Sequence, residues 1–126
     1  MNTTANHSLS EADRAKFIHA LATLLPGDCI LRHAEELRPY ECDGLSAYRQ
    51  VPWLVVLVEN IAQIQSCLKI CREWEVPVVA RGAGTGLSGG ALPLANGVLL
   101  SMAKMNRILH IDANNRRARV QPGVRN

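Results

Sequence analysis

Aromatic residues are few: one Phe, two Tyr and two Trp, 4% of a 126-residue chain. None of the five lies beyond Trp74, so the carboxyl-terminal stretch has no rings on which nucleic-acid bases could stack. Long apolar runs are absent. The longest, Trp53-Leu54-Val55-Val56-Leu57-Val58, falls far short of the roughly 20 residues that span a bilayer. The first fourteen residues lack the basic-then-apolar layout of a secretory signal. The reading is a soluble, cytoplasmic protein with no transmembrane segment. Four cysteines, Cys29, Cys42, Cys67 and Cys71, form no CxxC pair and have no histidine at zinc-ligand spacing. Without a signal, structural disulfides are not expected. Cys67 and Cys71, four apart on a predicted helix, read as a two-thiolate metal site or as small buried hydrophobes; the second is preferred, and no metal is expected.

Acidic residues are missing where basic ones gather. Residues 1–80 carry seven Lys/Arg against ten Asp/Glu, and residues 81–126 carry seven against one. That asymmetry turns the second part toward something anionic. Six of the nine glycines fall between residues 82 and 97, in the same stretch. With 48% hydrophobic and 20% charged residues, the composition is that of a globular chain rather than a disordered or fibrous one.

The periodicity predicts an α/β (α+β) fold. An N-terminal helix begins at Ser10 as N-cap, with Phe17, Leu21 and Leu24 inward, and stops at Pro26-Gly27. Residues 1–8 read as frayed. Ala34 to Leu37 makes a helical turn, and Glu41-Cys42-Asp43-Gly44 reads as a turn rather than a carboxylate pair. Leu54 to Val58 is a strand buried on both faces. Asn60 caps a helix with Gln63 as its capping-box partner and a stripe of Ile61, Ile64, Leu68, Cys71 and Trp74. Pro77 ends it, and Val78-Val79-Ala80 forms a second strand, completing one βαβ unit with parallel strands and a right-handed crossover. A third strand, Gly97 to Ser101, follows. Ile108 to Asp112 and Arg117 to Gln121 make a terminal hairpin around Ala113-Asn114-Asn115, where asparagines tolerate left-handed geometry. The sheet is therefore small and mixed. Residues 1–50 are a helical and lead-in segment, and residues 51–126 a first lobe that runs on into a further element.

Chemistry concentrates in Arg81-Gly82-Ala83-Gly84-Thr85-Gly86-Leu87-Ser88-Gly89-Gly90-Ala91. Gly84 to Gly89 matches G-x-G-x-x-G after a strand, but the dinucleotide fingerprint must open a helix, and Pro93 with Asn96-Gly97 prevents one. No acidic residue between Gly90 and His110 is there to hold a ribose, and no Gly-Lys-Ser/Thr follows to make a P-loop. What remains is a glycine loop at the end of a parallel strand, the edge where open α/β sheets bind ligands. Its glycines allow backbone N–H groups to approach an anion, and Thr85 and Ser88 add hydroxyls. The pattern suits a pyrophosphate. Arg81 either helps neutralise it or ties down loop carbonyls.

Pro77 through Ala91 resembles the pyrophosphate loop of the FAD-binding domain in the vanillyl-alcohol oxidase / p-cresol methylhydroxylase (PCMH) superfamily. The similarity continues through Gly97-Val98-Leu99-Leu100, Met105-Asn106-Arg107-Ile108 and Ala118 to Asn126. Pro39 to Arg49 is similar to the lead-in of bacterial glycolate oxidase FAD (D) subunits, within the FAD-linked D-2-hydroxy acid and D-lactate dehydrogenases. The resemblance implies the first lobe of a PCMH-type domain, with FAD held by Gly82, Ala83, Gly84, Thr85, Gly86, Gly90 and Ala91. It implies oxidation of a small 2-hydroxy acid, glycolate or D-lactate, to the 2-oxo acid. It also implies companion flavin and iron–sulfur subunits, and through them a peripheral place at the inner membrane. No histidine stands in the loop, so non-covalent FAD is expected. Members are several times longer, so the chain reads as an N-terminal fragment, inactive alone, with no catalytic residue assignable. His7, His19, His33 and His110 are surface positions in this reading.

The alternative is a non-enzymatic fragment that binds a nucleotide or a protein partner. Arg116, Arg117 and Arg119 read as a solvated strand, or one facing a further lobe, in preference to a nucleic-acid site. Met102, Met105, Trp53 and Trp74 read as packing residues. A severed lobe exposes apolar surface, so self-association is expected.

Overall fold

The computed structural model describes residues 8–125. The frayed start, apart from Ser8, and His7 lie outside them. Among the described residues the chain forms helices α1 (Glu11–Leu24), α2 (Ala34–Leu37) and α3 (Ile61–Glu73). Its strands are β1 (Ile30–Leu31), β2 (Leu54–Leu57), β3 (Val78–Arg81), β4 (Val98–Ser101), β5 (Ile108–Asp112) and β6 (Arg117–Val120).

Local chemistry sets the helix ends. At α1 the Ser10 hydroxyl accepts the Asp13 N–H at 3.1 Å and donates to the Asp13 carboxylate at 2.6 Å. That second bond, followed by Lys16, holds the exposed Asp13 below its usual range. Phe17 and Leu21 are buried as expected, but Leu24 is 55% exposed and Leu25 takes the inward place. Leu25 precedes Pro26, whose ring drives the preceding residue out of helical geometry; its φ of −124° and ψ of 144° are extended and turn its side chain into the core. At α3 the Asn60 side chain accepts the Gln63 N–H at 2.9 Å. The Gln63 side chain reaches one residue further back than a capping box requires, accepting from the Glu59 N–H at 2.8 Å. The inward stripe is also rotated from the expected one. Cys67, Ile70 and Cys71 are buried with Ile64 and Trp74 packed beside them, while Ile61 and Leu68 are exposed. Ile61, in the first turn, borders a groove beside the strand pair that follows β4.

The main sheet has the order β1-β2-β4-β3. β1 is antiparallel to β2, whereas β2 and β3 both run parallel to β4, with Leu54 and Val78 level with Val98. The unit β2-α3-β3 thus has parallel strands, yet the two do not touch: β4 lies between them. All four residues of β4 are buried, whereas β3 is half-buried at the edge. The two strands flanked on both sides, β2 and β4, are the most buried and carry the continuous aliphatic runs.

Alternation along β2 and β4 gives the sheet two packed faces. Leu54, Val56, Val98 and Leu100 meet Phe17 and Leu21 of α1 and Cys67 and Ile70 of α3. Val55 and Leu99 face Leu37, Tyr40 and Val79 on the other side. Residues on both sides of position 50 therefore share one core. Phe17 joins Trp53 and Trp74, with ring centroids 5.3 and 6.1 Å away, and Arg14 lies over Trp53. The cysteines are free, and three are fully buried. Its hydrogen bond with Cys67, aided by burial, holds the Cys71 thiol far above its ordinary range. Among the described residues no group of three or more His, Cys, Asp or Glu is placed together.

β5 and β6 form a separate antiparallel hairpin. The left-handed residue of its turn is Arg116, at φ 53°, rather than an asparagine. Asn115 instead donates its backbone N–H and side-chain amide to the Asp112 carboxylate, at 3.1 and 2.8 Å. A short polar side chain beside a carboxylate gains more from these two bonds than from adopting the turn's strained position. No helix among the described residues is long and apolar enough to cross a membrane.

Candidate cofactor site

β3 ends at Arg81, level with Ser101 at the end of β4. The loop leaves from this carboxyl-terminal edge, and the chain makes only bends and turns until β4 begins at Val98. No helix opens after Gly84, which removes the dinucleotide-fingerprint reading on geometry as it was removed on sequence.

Hydrogen bonding separates this loop from the rest. Among the described residues, no backbone N–H from 82 to 91 donates to a protein acceptor. The hydroxyls of Thr85 and Ser88 have no protein partner either. Protein packing dictates two of the glycines. At Gly82 a β-carbon would meet the Pro122 carbonyl oxygen at 2.7 Å, and Gly84, at φ 75°, lies over the Arg81 guanidinium. By contrast, a β-carbon at Gly86 or Gly90 would meet nothing within 4 Å. The open side of the loop is therefore a run of unpaired donors without side-chain cover, the form of an anion nest.

Ala83 also lines a cavity of about 460 Å³ with Ala103, Asn106, Ile108, Gly123, Val124 and Arg125. No carboxylate lines it, and Arg125 brings a positive charge. The carboxyl-terminal segment reaches this place because the Gly123 N–H bonds the Met105 carbonyl at 2.8 Å and the Gln121 N–H bonds that of Arg107 at 2.9 Å. A β-carbon at Gly123 would collide with the carbonyls of Met102 and Met105. Apart from Ala83, these lining residues were not picked out as site residues from sequence; the signal that could have found them was the family similarity over Met105 to Ile108 and Ala118 to Asn126. A wider apolar groove of about 710 Å³ lies between the start of α3 and the hairpin, with Ile61, Leu109 and Val120 in its walls. It touches no loop residue.

Of the residues singled out in sequence, Gly82, Ala83 and Gly84 form the half-buried floor. Thr85, Gly86, Leu87 and Ser88 form the exposed rim, followed by half-buried Gly89, exposed Gly90 and half-buried Ala91. Arg81 is half-buried and its guanidinium is engaged: Nη1 donates to the Cys42 carbonyl at 2.6 Å, and the group lies 5.6 Å over the Tyr40 ring. Glu41 and Asp43 part company, Glu41 pairing with Arg49 at 2.6 Å and Asp43 accepting the Leu45 N–H at 2.8 Å. His19, His33 and His110 stand on α1, before α2 and on β5, and none lines the cavity.

A family described as FAD binding domain matches residues 52–126. The chain belongs to this FAD binding domain family. Glycolate oxidase subunit GlcD of Escherichia coli (strain K12) is 57% identical over 119 residues, which cover 94% of this chain and 24% of that protein. D-lactate dehydrogenase of Archaeoglobus fulgidus is 44% identical over 72 residues, 57% of this chain and 16% of that one. The solved structure of p-cresol methylhydroxylase with substrate bound shares the fold with a TM-score of 0.78 at 29% identity, over 92% of this chain and 23% of that chain. The chain spans about a quarter of the length of the GlcD relative it matches. The open backbone at Gly86 and Gly90 and the unpaired amides around them fit the diphosphate of the family's cofactor.

Proposed function

We propose that the loop 82–91 binds the diphosphate of FAD non-covalently, with Ala103, Asn106 and Arg125 extending the site into the adjoining cavity. The observation that carries this is the ten-residue run without protein-bonded amides at the carboxyl edge of parallel strands. Buried or half-buried backbone donors seek acceptors, and a diphosphate supplies several at fixed spacing. The loop contains no histidine for a covalent flavin link.

The parent activity is oxidation of a small 2-hydroxy acid, glycolate or D-lactate, to the 2-oxo acid. Held by residues 82–91, FAD would supply the hydride acceptor that this oxidation needs. This chain's own part is to hold the cofactor's phosphates and exclude side chains from their path. The assigned residues include no catalytic acid or base, so the 126 residues alone are inactive. The reading rests on the relatives named above, one of them a subunit, and companion flavin and iron–sulfur subunits go with it. So do a cytoplasmic place peripheral to the inner membrane and self-association of the isolated chain through its exposed hairpin.

Titrating the 126-residue chain with FAD, followed by flavin fluorescence and retention through gel filtration, tests the site. One retained FAD per chain is expected. A polypeptide of the relatives' length that carries this sequence is expected to reduce an artificial electron acceptor with glycolate or D-lactate. Failure of that longer protein to bind FAD would sink the site, and failure with both acids would sink the substrate class.

A further inference from the structure

Two segments far apart in sequence meet beneath the loop, and Arg81 joins them. The Cys42 carbonyl that takes its Nη1 is 39 residues away, and the guanidinium lies across the Tyr40 ring. The same guanidinium fills the space into which a side chain at 84 would point, with Nε 2.7 Å from that position. One planar group thus touches the lead-in at two residues and the loop at a third.

A second contact, independent of Arg81, lies one residue further along. A β-carbon at Gly44 would stand 2.8 Å from the carbonyl oxygens of both Thr85 and Gly86, so the lead-in backbone rests directly on the loop backbone. The lead-in is shaped to do this. Asp43 is 93% buried, and its Oδ1 accepts the Leu45 N–H, closing a turn around Gly44. The Gln50 N–H bonds the Glu41 carbonyl at 2.8 Å and closes the segment behind it. Asp43 Oδ2 is the only buried side-chain nitrogen or oxygen among the described residues without a partner. An orphaned carboxylate oxygen is costly, a cost that the packing of this segment has to offset.

We infer that Arg81 is a positioning residue: with residues 40–45 it forms a buckle that sets the direction of the loop amides before the cofactor arrives, and it makes no phosphate contact itself. This rests on the reading of the loop as a diphosphate site. Preorganised donors bind more tightly because their ordering cost is met in folding. Lysine does not replace arginine here, since an ammonium cannot both reach the Cys42 carbonyl and lie flat between Tyr40 and Gly84.

The test uses the 126-residue chain, with folding of each variant checked by far-UV circular dichroism. Backbone 15N order parameters of residues 83–87, measured without FAD, read the buckle itself. Arg81→Lys and Tyr40→Leu are expected to lower them from the rigid range near 0.85 toward the flexible range below about 0.6. Arg81→Lys is expected to weaken FAD binding about tenfold, as much as Arg81→Gln does, with the salt dependence of binding unchanged. Gly44→Ala, which leaves Arg81 intact, is expected to loosen the same amides. The proposal is overturned if Arg81→Lys leaves the order parameters unaltered, or if it keeps wild-type affinity while Arg81→Gln loses both affinity and salt dependence, the signature of a phosphate contact. Should the 126-residue chain fail to bind FAD, the affinities are read on the longer polypeptide, whose own failure to bind would sink the cofactor reading, while the order parameters of the short chain still decide whether the buckle exists.

Discussion

Strand β4 buries all four of its residues, whereas the hairpin β5–β6 leaves eight of its nine residues exposed, Ile108, Leu109, Ile111 and Val120 among them. Both regions carry β-branched and aliphatic residues, although the hairpin strands also hold His110, Asp112, Arg117 and Arg119. The difference lies in what covers them: helices α1 and α3 on one face of the sheet and α2 with the lead-in on the other, but no layer of the described residues on the hairpin. A lone two-stranded hairpin is marginal in water. This one is held at its base by the Gln121 and Gly123 amides and at its tip by Asp112 and Asn115. Sequence apolarity therefore reports a need for cover and does not tell whether the chain itself provides it.

The sharpest way to break that comparison is a matched pair of truncations. Leu99→Ala, in the middle of β4, is expected to cost about 2–5 kcal/mol, and Ile111→Ala, in β5, less than about 0.5 kcal/mol. Urea unfolding of both variants checks this; equal losses would mean that the hairpin is packed in solution. Next in size is Gly84→Ala. It forces a β-carbon onto the Arg81 guanidinium at positive φ, a strain of about 1–3 kcal/mol, seen as a lower denaturation midpoint and weaker FAD binding. Gly90→Ala, in open space, is expected to leave stability unchanged, so its effect on FAD binding reads the ligand face alone.

A third experiment concerns the uncovered face. Replacing Leu109 and Ile111 by Ser is expected to reduce self-association in sedimentation velocity without altering the unfolding midpoint. A wild-type chain that stays monomeric at high concentration would show that the face is tolerated bare. The smallest effect is at the hairpin tip. The Asn115 side-chain amide, with its backbone N–H, holds Asp112 below its ordinary value of 3.8. Because the folded carboxyl is the stronger acid, its contribution is complete above that value and is lost as pH falls through the lowered one. Amide exchange at Asn115 is expected to quicken only in that acid range, and in Asp112→Asn at every pH.

Much of the architecture was legible before any coordinates. The caps at Ser10 and Asn60, the turn of helix at Ala34 to Leu37, three of the four sheet strands and the hairpin are read from contacts within four residues or from alternation along one strand; the two-residue β1, Ile30–Leu31, was missed because so short a strand has no period of its own. The glycine loop was legible as well, because a G-x-G-x-x-G stretch that cannot open a helix is a distinctive contradiction. The misreadings had one local and one tertiary origin. Leu25 displaced Leu24 through the proline after it, and the α3 stripe rotated toward Cys67 because the sheet, rather than the helix, decides which face is covered.

The sequence by itself determined the elements, their caps, the position of the loop and the family to which the chain belongs, since short-range geometry and residue identity carry that information. Only the tertiary structure decided that β4 separates β2 from β3, that Gly82 and Gly84 serve packing while Gly86 and Gly90 stay open, and that Arg81 reaches back to Tyr40 and Cys42. Each of these depends on closing a loop of tens of residues around a shared core. The outcome of that closure follows from the sum of packing over the whole sheet, and no local spacing encodes it.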